Sequence, residues 1–106
     1  MLEFFHLKKI SIEKIVEKMC HAPAVLYHIK DRGFIRKGCF ADLVLVDPDA
    51  PWTVSKENIL YKCGWSPFEG TTFSSRISHT FVNGNPVYRN GNFDERYRGK
   101  RLEFNP

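Results

Sequence analysis

Gly38-Cys39-Phe40-Ala41-Asp42-Leu43-Val44-Leu45-Val46-Asp47-Pro48 is the stretch from which the rest of the chain is read. Four apolar residues in a row, Leu43 to Val46, two of them β-branched, describe a strand covered on both faces rather than one with a wet side. Gly38 opens the run, and Asp47-Pro48 closes it, because proline brings no N–H to a ladder and favours a turn. A strand covered on both faces needs neighbours, and a chain of 106 residues has few to give.

Upstream, the spacing predicts helices. Leu2 to Leu7 reads as the last turns of one, stopped by Lys8-Lys9. Ser11 is a good N-cap, and Ile12, Ile15, Val16 and Met19 then fall on one face with Glu13, Lys14, Glu17 and Lys18 on the other. Cys20-His21-Ala22 reads as a break, after which Pro23 starts another helix through Ile29, ended at Asp31-Arg32-Gly33. Phe34 to Gly38 reads as a brief extended piece and a turn.

Downstream, Trp52-Thr53-Val54 is short β material, and Ser55 caps one turn over Lys56 to Leu60. The loop from Cys63 to Gly70 holds two large aromatics, Trp65 and Phe68, which a loop carries when it packs against something. Arg76 to Val82, then Asn83-Gly84, then Asn85 to Arg89 is a hairpin with a type I′ turn, and Asn90-Gly91 is a second turn. Pro86 argues that its strand is an edge at that point, or that its N–H side is unpaired there. Residues 92–106 read as a polar wrap anchored by Phe93, Tyr97, Leu102 and Phe104.

Hydrophobic content of 42% and charged content of 26% place the chain among ordinary globular sequences. No apolar run approaches the roughly 18 residues of a membrane span, and the N-terminal residues lack the pattern of a signal peptide. A soluble, cytoplasmic protein is the expectation, with Cys20, Cys39 and Cys63 as free thiols. The net charge of +4 is dispersed except in Arg96-Tyr97-Arg98-Gly99-Lys100-Arg101. That tail is either a solvated basic segment or a contact for nucleic acid.

Catalytic chemistry is harder to find. The histidines, His6, His21, His28 and His79, form no H-x-H or H-E-x-x-H pair of the kind that holds a metal. Cys63 has no histidine near it in sequence to activate it. Gly64 and Gly70 lack the Lys-Ser/Thr that completes a phosphate loop. Asp42 and Asp47 stand about 16 Å apart on an extended segment, too far to act on one bond. The residues alone describe a small α+β unit, with no catalytic, cofactor-binding or metal-binding residue assigned.

Taken in series, Ser11-Ile12-Glu13-Lys14-Ile15-Val16, His21-Ala22-Pro23-Ala24 and Gly33-Phe34-Ile35-Arg36-Lys37-Gly38-x-x-Ala41-Asp42-Leu43-Val44-Leu45-Val46-Asp47 resemble the C-terminal end of a cyclic amidohydrolase. Trp65-Ser66-Pro67-Phe68-Glu69-Gly70 and Thr80-Phe81-Val82-Asn83-Gly84-x-x-Val87-Tyr88 fit the same end. The Gly-x-x-Ala-Asp-Leu-Val block is similar to the superfamily at large, and the Ser-Pro-Phe-Glu-Gly loop narrows the resemblance to dihydroorotases and allantoinases, dihydroorotase first.

The resemblance implies a fragment: residues 1–32 as two or three terminal helices of a (β/α)8 barrel, and residues 33–106 as the C-terminal portion of a small β-sandwich with its tail. It implies a parent enzyme that interconverts N-carbamoyl-aspartate and dihydroorotate in pyrimidine biosynthesis with two zinc ions, often bridged by a carboxylated lysine. The zinc ligands, catalytic aspartate and substrate-binding residues of that family lie upstream, so the fragment itself is expected to be structural, metal-free and inactive. Its partner would be the missing N-terminal part, with bare apolar surface promoting self-association. Ala22, where the family often has asparagine, would weaken a helix cap by ~1 kcal/mol. The alternatives are the same fragment of an allantoinase or dihydropyrimidinase, and a free-standing basic binding module.

Overall fold

Ser11 begins the longest regular stretch: its extended backbone and its hydroxyl, which accepts from the Lys14 N–H at 3.1 Å, start a helix over Ile12–Val16. The computed structural model describes all residues from Met1 to Pro106, and α1 (Leu2–His6) precedes this α2. The helical path does not break at Cys20-His21-Ala22. It widens into a π-turn, Glu17–His21, in which the Ala22 N–H reaches back to the Glu17 carbonyl, and runs on into α3 (Ala22–Leu26). The cause is Pro23: its ring would press on the carbonyl four residues back, and the extra residue in the turn makes room for it. Pro23 therefore sits inside one bulged helix, and Ala22 caps nothing.

The helix also ends earlier than its sequence suggests. Tyr27 leaves the helical region and His28 takes a positive φ of 54°, so Gly33 terminates no helix. Gly33 has another reason to be glycine. With φ +85° it passes under the helix so closely that a Cβ would stand 2.5 Å from the Ala24 Cβ and 2.7 Å from the Cys20 carbonyl oxygen. Phe34 to Gly38 is bends and a turn with no strand.

The quoted run is β1 (Leu43–Asp47). A two-stranded ribbon of β2 (Trp52–Thr53) and β3 (Thr72–Phe73) follows, with a 3-10 turn at Lys56–Asn58 between them that Ser55 and Asn58 cap reciprocally. Next come β4 (Arg76–Val82), β5 (Asn85–Arg89) and β6 (Asn92–Phe93). The two hairpin turns carry positive φ at both central residues, 51° and 81° at Asn83-Gly84 and 46° and 91° at Asn90-Gly91. The order β1-β4-β5-β6 is antiparallel throughout, which leaves β1 at the edge. β6 pairs only with Tyr88 and Arg89, so the outer side of β5 is free at Pro86, as that proline requires.

Ser78 in β4 and Val87 in β5 have no cross-strand partner, and each marks a bulge. Because opposed residues share a face, Leu43, Leu45, His79 and Phe81 lie on one side of the sheet, and Val44, Val46, Ile77, Thr80 and Tyr88 on the other. Both faces are thus built for cover, and the chain supplies little. Val44 is 53% exposed and Leu45 50%, so the expectation of a strand covered on both faces is not met by this chain's own residues. The tail is more ordered than its polarity indicates: Phe104 bridges to Ile29, the Lys30 N–H donates to the Glu103 carbonyl and the Asn105 N–H to that of His28.

Only Ile15, Ala24, Val54 and Ser75 are buried, and the chain keeps 8504 Å² of accessible surface. A self-sufficient monomer of this mass would keep about 6,100 Å², a surplus of about 2,400 Å². The radius of gyration is 15.7 Å, where a closed domain of this length would have about 13 Å.

Replacing Gly33 by alanine is expected to lower stability by ~2 kcal/mol or more, since strain and overlap with Ala24 act together. Far-UV circular dichroism under heating checks this, and an unchanged midpoint would contradict it.

Candidate functional site

Asp42 joins segments that lie far apart in the sequence. One carboxylate oxygen accepts from the Arg32 guanidinium and the other accepts from the Asn83 backbone N–H at 2.9 Å. Arg32 donates again to the Asn83 side-chain oxygen at 3.1 Å, and the Gly84 N–H donates to the Ala41 carbonyl at 2.9 Å. The guanidinium also lies 4.2 Å from the centre of the Phe40 ring, and its side chain is only 10% exposed. Three segments are pinned together by this carboxylate: the stretch after α3, the entrance to β1, and the β4–β5 turn.

Two further polar junctions tie the helices to other segments. Glu3 of α1 accepts from the Ser74 N–H at 2.9 Å and the Ser74 hydroxyl at 2.8 Å. Those hydrogen bonds hold its carboxyl below the usual carboxylate range. His21 contacts the Gly33 carbonyl through Nδ1 at 2.7 Å and stacks on Phe34, with Arg36 also 4.1 Å from the Phe34 ring centre.

Two serine–histidine hydrogen bonds invite a catalytic reading. His6 Nε2 lies 2.8 Å from Ser75 Oγ, and His79 Nδ1 lies 2.9 Å from Ser78 Oγ. In both, the serine oxygen also lies within hydrogen-bond distance of a carbonyl, Ser75 of Pro48 at 3.1 Å and Ser78 of Leu45 at 3.3 Å, which competes for the serine's one proton. When the carbonyl takes that proton the histidine is the donor, the reverse of what a general base activating a nucleophile needs. The Cys63 thiol meets only the Trp65 carbonyl, at 3.6 Å. No three His, Cys, Asp or Glu side chains converge in a way that would hold a metal ion. His21 and His28 stand in different surroundings, the first against Phe34 and the second in the strapped segment.

Two of the four basic residues of the tail, Arg96 and Lys100, have a partner. Arg96 chelates Asp94 with three hydrogen bonds, which draws the Asp94 carboxyl down to about 2. Lys100 lies over Phe40, and Lys30 pairs with Glu103. Around them is a shallow cleft of about 60 Å³ lined by Lys30, Asp31, Arg32, Phe40, Lys100, Arg101 and Glu103, with both signs of charge. No helix is long and apolar enough to cross a membrane.

Sequence reasoning marked Asp42 and passed over Arg32, Glu3, His6 and Ser75. Arg32 stands only ten residues before Asp42 and was within reach as a signal. The pairing of Glu3 and His6 with Ser74 and Ser75 spans about seventy residues and has no local trace.

Three known proteins resemble the chain along most of its length. It is 33% identical over 93 residues to a dihydroorotase of Pyrococcus furiosus, covering 88% of this chain and 22% of that one. It is 33% identical over 98 residues to an allantoinase of Desulfitobacterium hafniense, covering 92% and 22%. Among solved structures, L-hydantoinase (dihydropyrimidinase) of Arthrobacter aurescens superposes with a TM-score of 0.77 at 31% identity, covering 88% of this chain and 21% of that one. The chain therefore spans about a fifth of the length of the proteins it matches. No family model matches it.

Two outcomes test the junctions. Replacing Asp42 by alanine leaves Arg32 unpaired and the Asn83 N–H without an acceptor, an expected loss of ~2 kcal/mol by urea unfolding, with about half of that for asparagine. The depressed Glu3 value means that its contribution is complete above the ordinary value of 4.5 and is lost as pH falls through the lower folded one. The Ser74 amide resonance should therefore shift only well into the acid range; a transition near neutrality would contradict the assignment.

Proposed function

The chain belongs to the dihydroorotase family of cyclic amidohydrolases, in which it corresponds to a C-terminal fragment, and from that premise we propose that it completes and braces the enzyme without taking part in the reaction. The parent activity in this reading is the reversible ring closure of N-carbamoyl-aspartate to dihydroorotate. Two zinc ions held by residues outside this chain would supply the activated water and polarise the amide carbonyl.

The observation that carries the reading is the extended match to a dihydroorotase, 88% of this chain at 33% identity, through the segment that contains β1 and the Asp42 junction. The surplus of accessible surface agrees with it, since a sheet with apolar residues on both faces asks for layers that this chain lacks. In this role α1, α2 and α3 belong to the end of the barrel and the sheet to one half of a sandwich. Arg32, Asp42 and Asn83 form the joint between the two parts, while Glu3 and His6 hold α1 against the residues that lead into β4.

The similarity to an allantoinase at the same identity supports a second reading with the same architecture and a different ring as substrate. Both readings place the pocket elsewhere, so they differ in the substrate alone.

The purified chain is expected to show no turnover of N-carbamoyl-aspartate, dihydroorotate or allantoin, with or without added zinc. A Pyrococcus furiosus dihydroorotase shortened by the matching 93 residues should be inactive and regain activity when co-expressed with this chain. Turnover by the chain alone would overturn the proposal, as would a shortened enzyme that this chain never restores.

A further inference from the structure

Two Asn-Gly pairs lie in the chain, Asn83-Gly84 and Asn90-Gly91, whereas Asn58, Asn85, Asn92 and Asn105 precede isoleucine, proline, phenylalanine and proline. An asparagine before glycine is prone to lose its side-chain amide, because the next backbone nitrogen can reach Cγ and glycine has no side chain to obstruct the approach. Both pairs fill the centre of a type I′ turn with nearly the same backbone, φ 51° and 81° in the first and 46° and 91° in the second. A difference in their reactivity therefore comes from what holds each turn.

The first turn is held at the groups that the reaction uses. The Gly84 N–H, whose nitrogen would attack, donates to the Ala41 carbonyl at 2.9 Å. The Asn83 side-chain oxygen accepts from Arg32 at 3.1 Å, and the Asn83 backbone N–H donates to Asp42 at 2.9 Å. The flanking strands, β4 and β5, are seven and five residues long. These restraints are made within the chain and persist in any longer polypeptide that contains it. In the second turn the Asn90 backbone N–H donates to the Ser78 carbonyl at 2.8 Å, but no hydrogen bond engages the Gly91 N–H or the Asn90 side chain. One flank there is β6, two residues long and paired only with Tyr88 and Arg89. A strand that short opens readily, and opening lets the Asn90 backbone rotate toward the reactive geometry.

We propose that Asn90 is a site of spontaneous deamidation in this chain, and that the junction of Arg32 and Asp42 shields Asn83 from the same reaction. The Gly91 nitrogen, on losing its proton, attacks Asn90 Cγ; a new N–C bond forms, the Cγ–Nδ2 bond breaks, and Nδ2 leaves with that proton as ammonia. Water then opens the cyclic imide. Scission of the new N–C bond leaves aspartate, and scission on the other side of the nitrogen leaves isoaspartate, with the main chain running through Cγ. No oxidant or reductant takes part. Isoaspartate adds an atom to the main chain and cannot keep the I′ turn, so β6 is lost together with the bond from the Asp94 N–H to the Val87 carbonyl that follows it. The proposal goes beyond the supporting role above and does not rest on it.

The purified chain, kept warm at mildly alkaline pH, is to be mapped by peptide mass spectrometry beside the same chain in concentrated urea. In the folded chain aspartate and isoaspartate should accumulate in place of Asn90, with Asn83 reacting ~10-fold more slowly or less, since its opening breaks additional hydrogen bonds. In urea the two should react at similar rates, each being the same dipeptide without its turn. Arg32→Ala should speed the loss of Asn83 and leave that of Asn90 unchanged. Equal rates in the folded chain, an unreacted Asn90 while the urea sample reacts, or a difference that persists in urea would each overturn the assignment. So would a folded Arg32→Ala chain in which Asn83 reacts no faster. The comparison with urea needs no variant, and it decides the assignment even where Arg32→Ala fails to fold.

Discussion

The carboxylate of Asp42 is the constraint on which the arrangement of the chain depends. It takes one cation from the stretch after the helices and one backbone donor from the hairpin turn, and so fixes how β1 enters the sheet. Hydrophobic packing offers less direction, because β1 is exposed along most of its length and β4 is no more than half-buried. Arg32, Asp42 and Asn83 are sensitive to direction as well as distance, so they specify a single angle between helices and sheet where apolar contact would tolerate several.

This reverses the usual division of labour in a small domain. Burial ordinarily supplies the driving force, and polar contacts select one state among compact ones. Here the apolar groups are present but uncovered, and local order comes from the antiparallel ladder, two I′ turns and three polar junctions. Relatives about five times longer give the arrangement its sense in the proposed role, where the apolar faces would be the halves of contacts completed by the rest of the enzyme.

Much of the fold was legible in the sequence where the signal is short-range. Asn83-Gly84, Asn90-Gly91, the Ser11 cap and the apolar run at Leu43 each name their own structure, and the resemblance of the Ala41-Asp42 block led to the family. The misreadings have physical causes. Pro23 looked like a helix start because an N1 position and a bulged interior both excuse the missing N–H, and only the π-turn tells them apart. Gly33 looked like a helix stop, whereas its role is steric and depends on Ala24 and Cys20 above it. β3 and β6 are two residues long and have no periodicity to read. The long-range polar contacts were not legible: the His6–Ser75 bond and the Pro48 carbonyl beside it join residues far apart in the chain.

The strap between Glu103 and Lys30 joins residues 73 positions apart. Closing a loop of that length from an open chain costs ~4 kcal/mol in entropy, while its few exposed backbone bonds and surface ion pair return about 1 kcal/mol each or less. Such a contact cannot nucleate folding and forms only after the hairpins have shortened the path between its ends. By the same reasoning it is the first to let go, so the chain opens from its tail, baring Ile29 and the segment after α3 while the β4–β5 hairpin still holds.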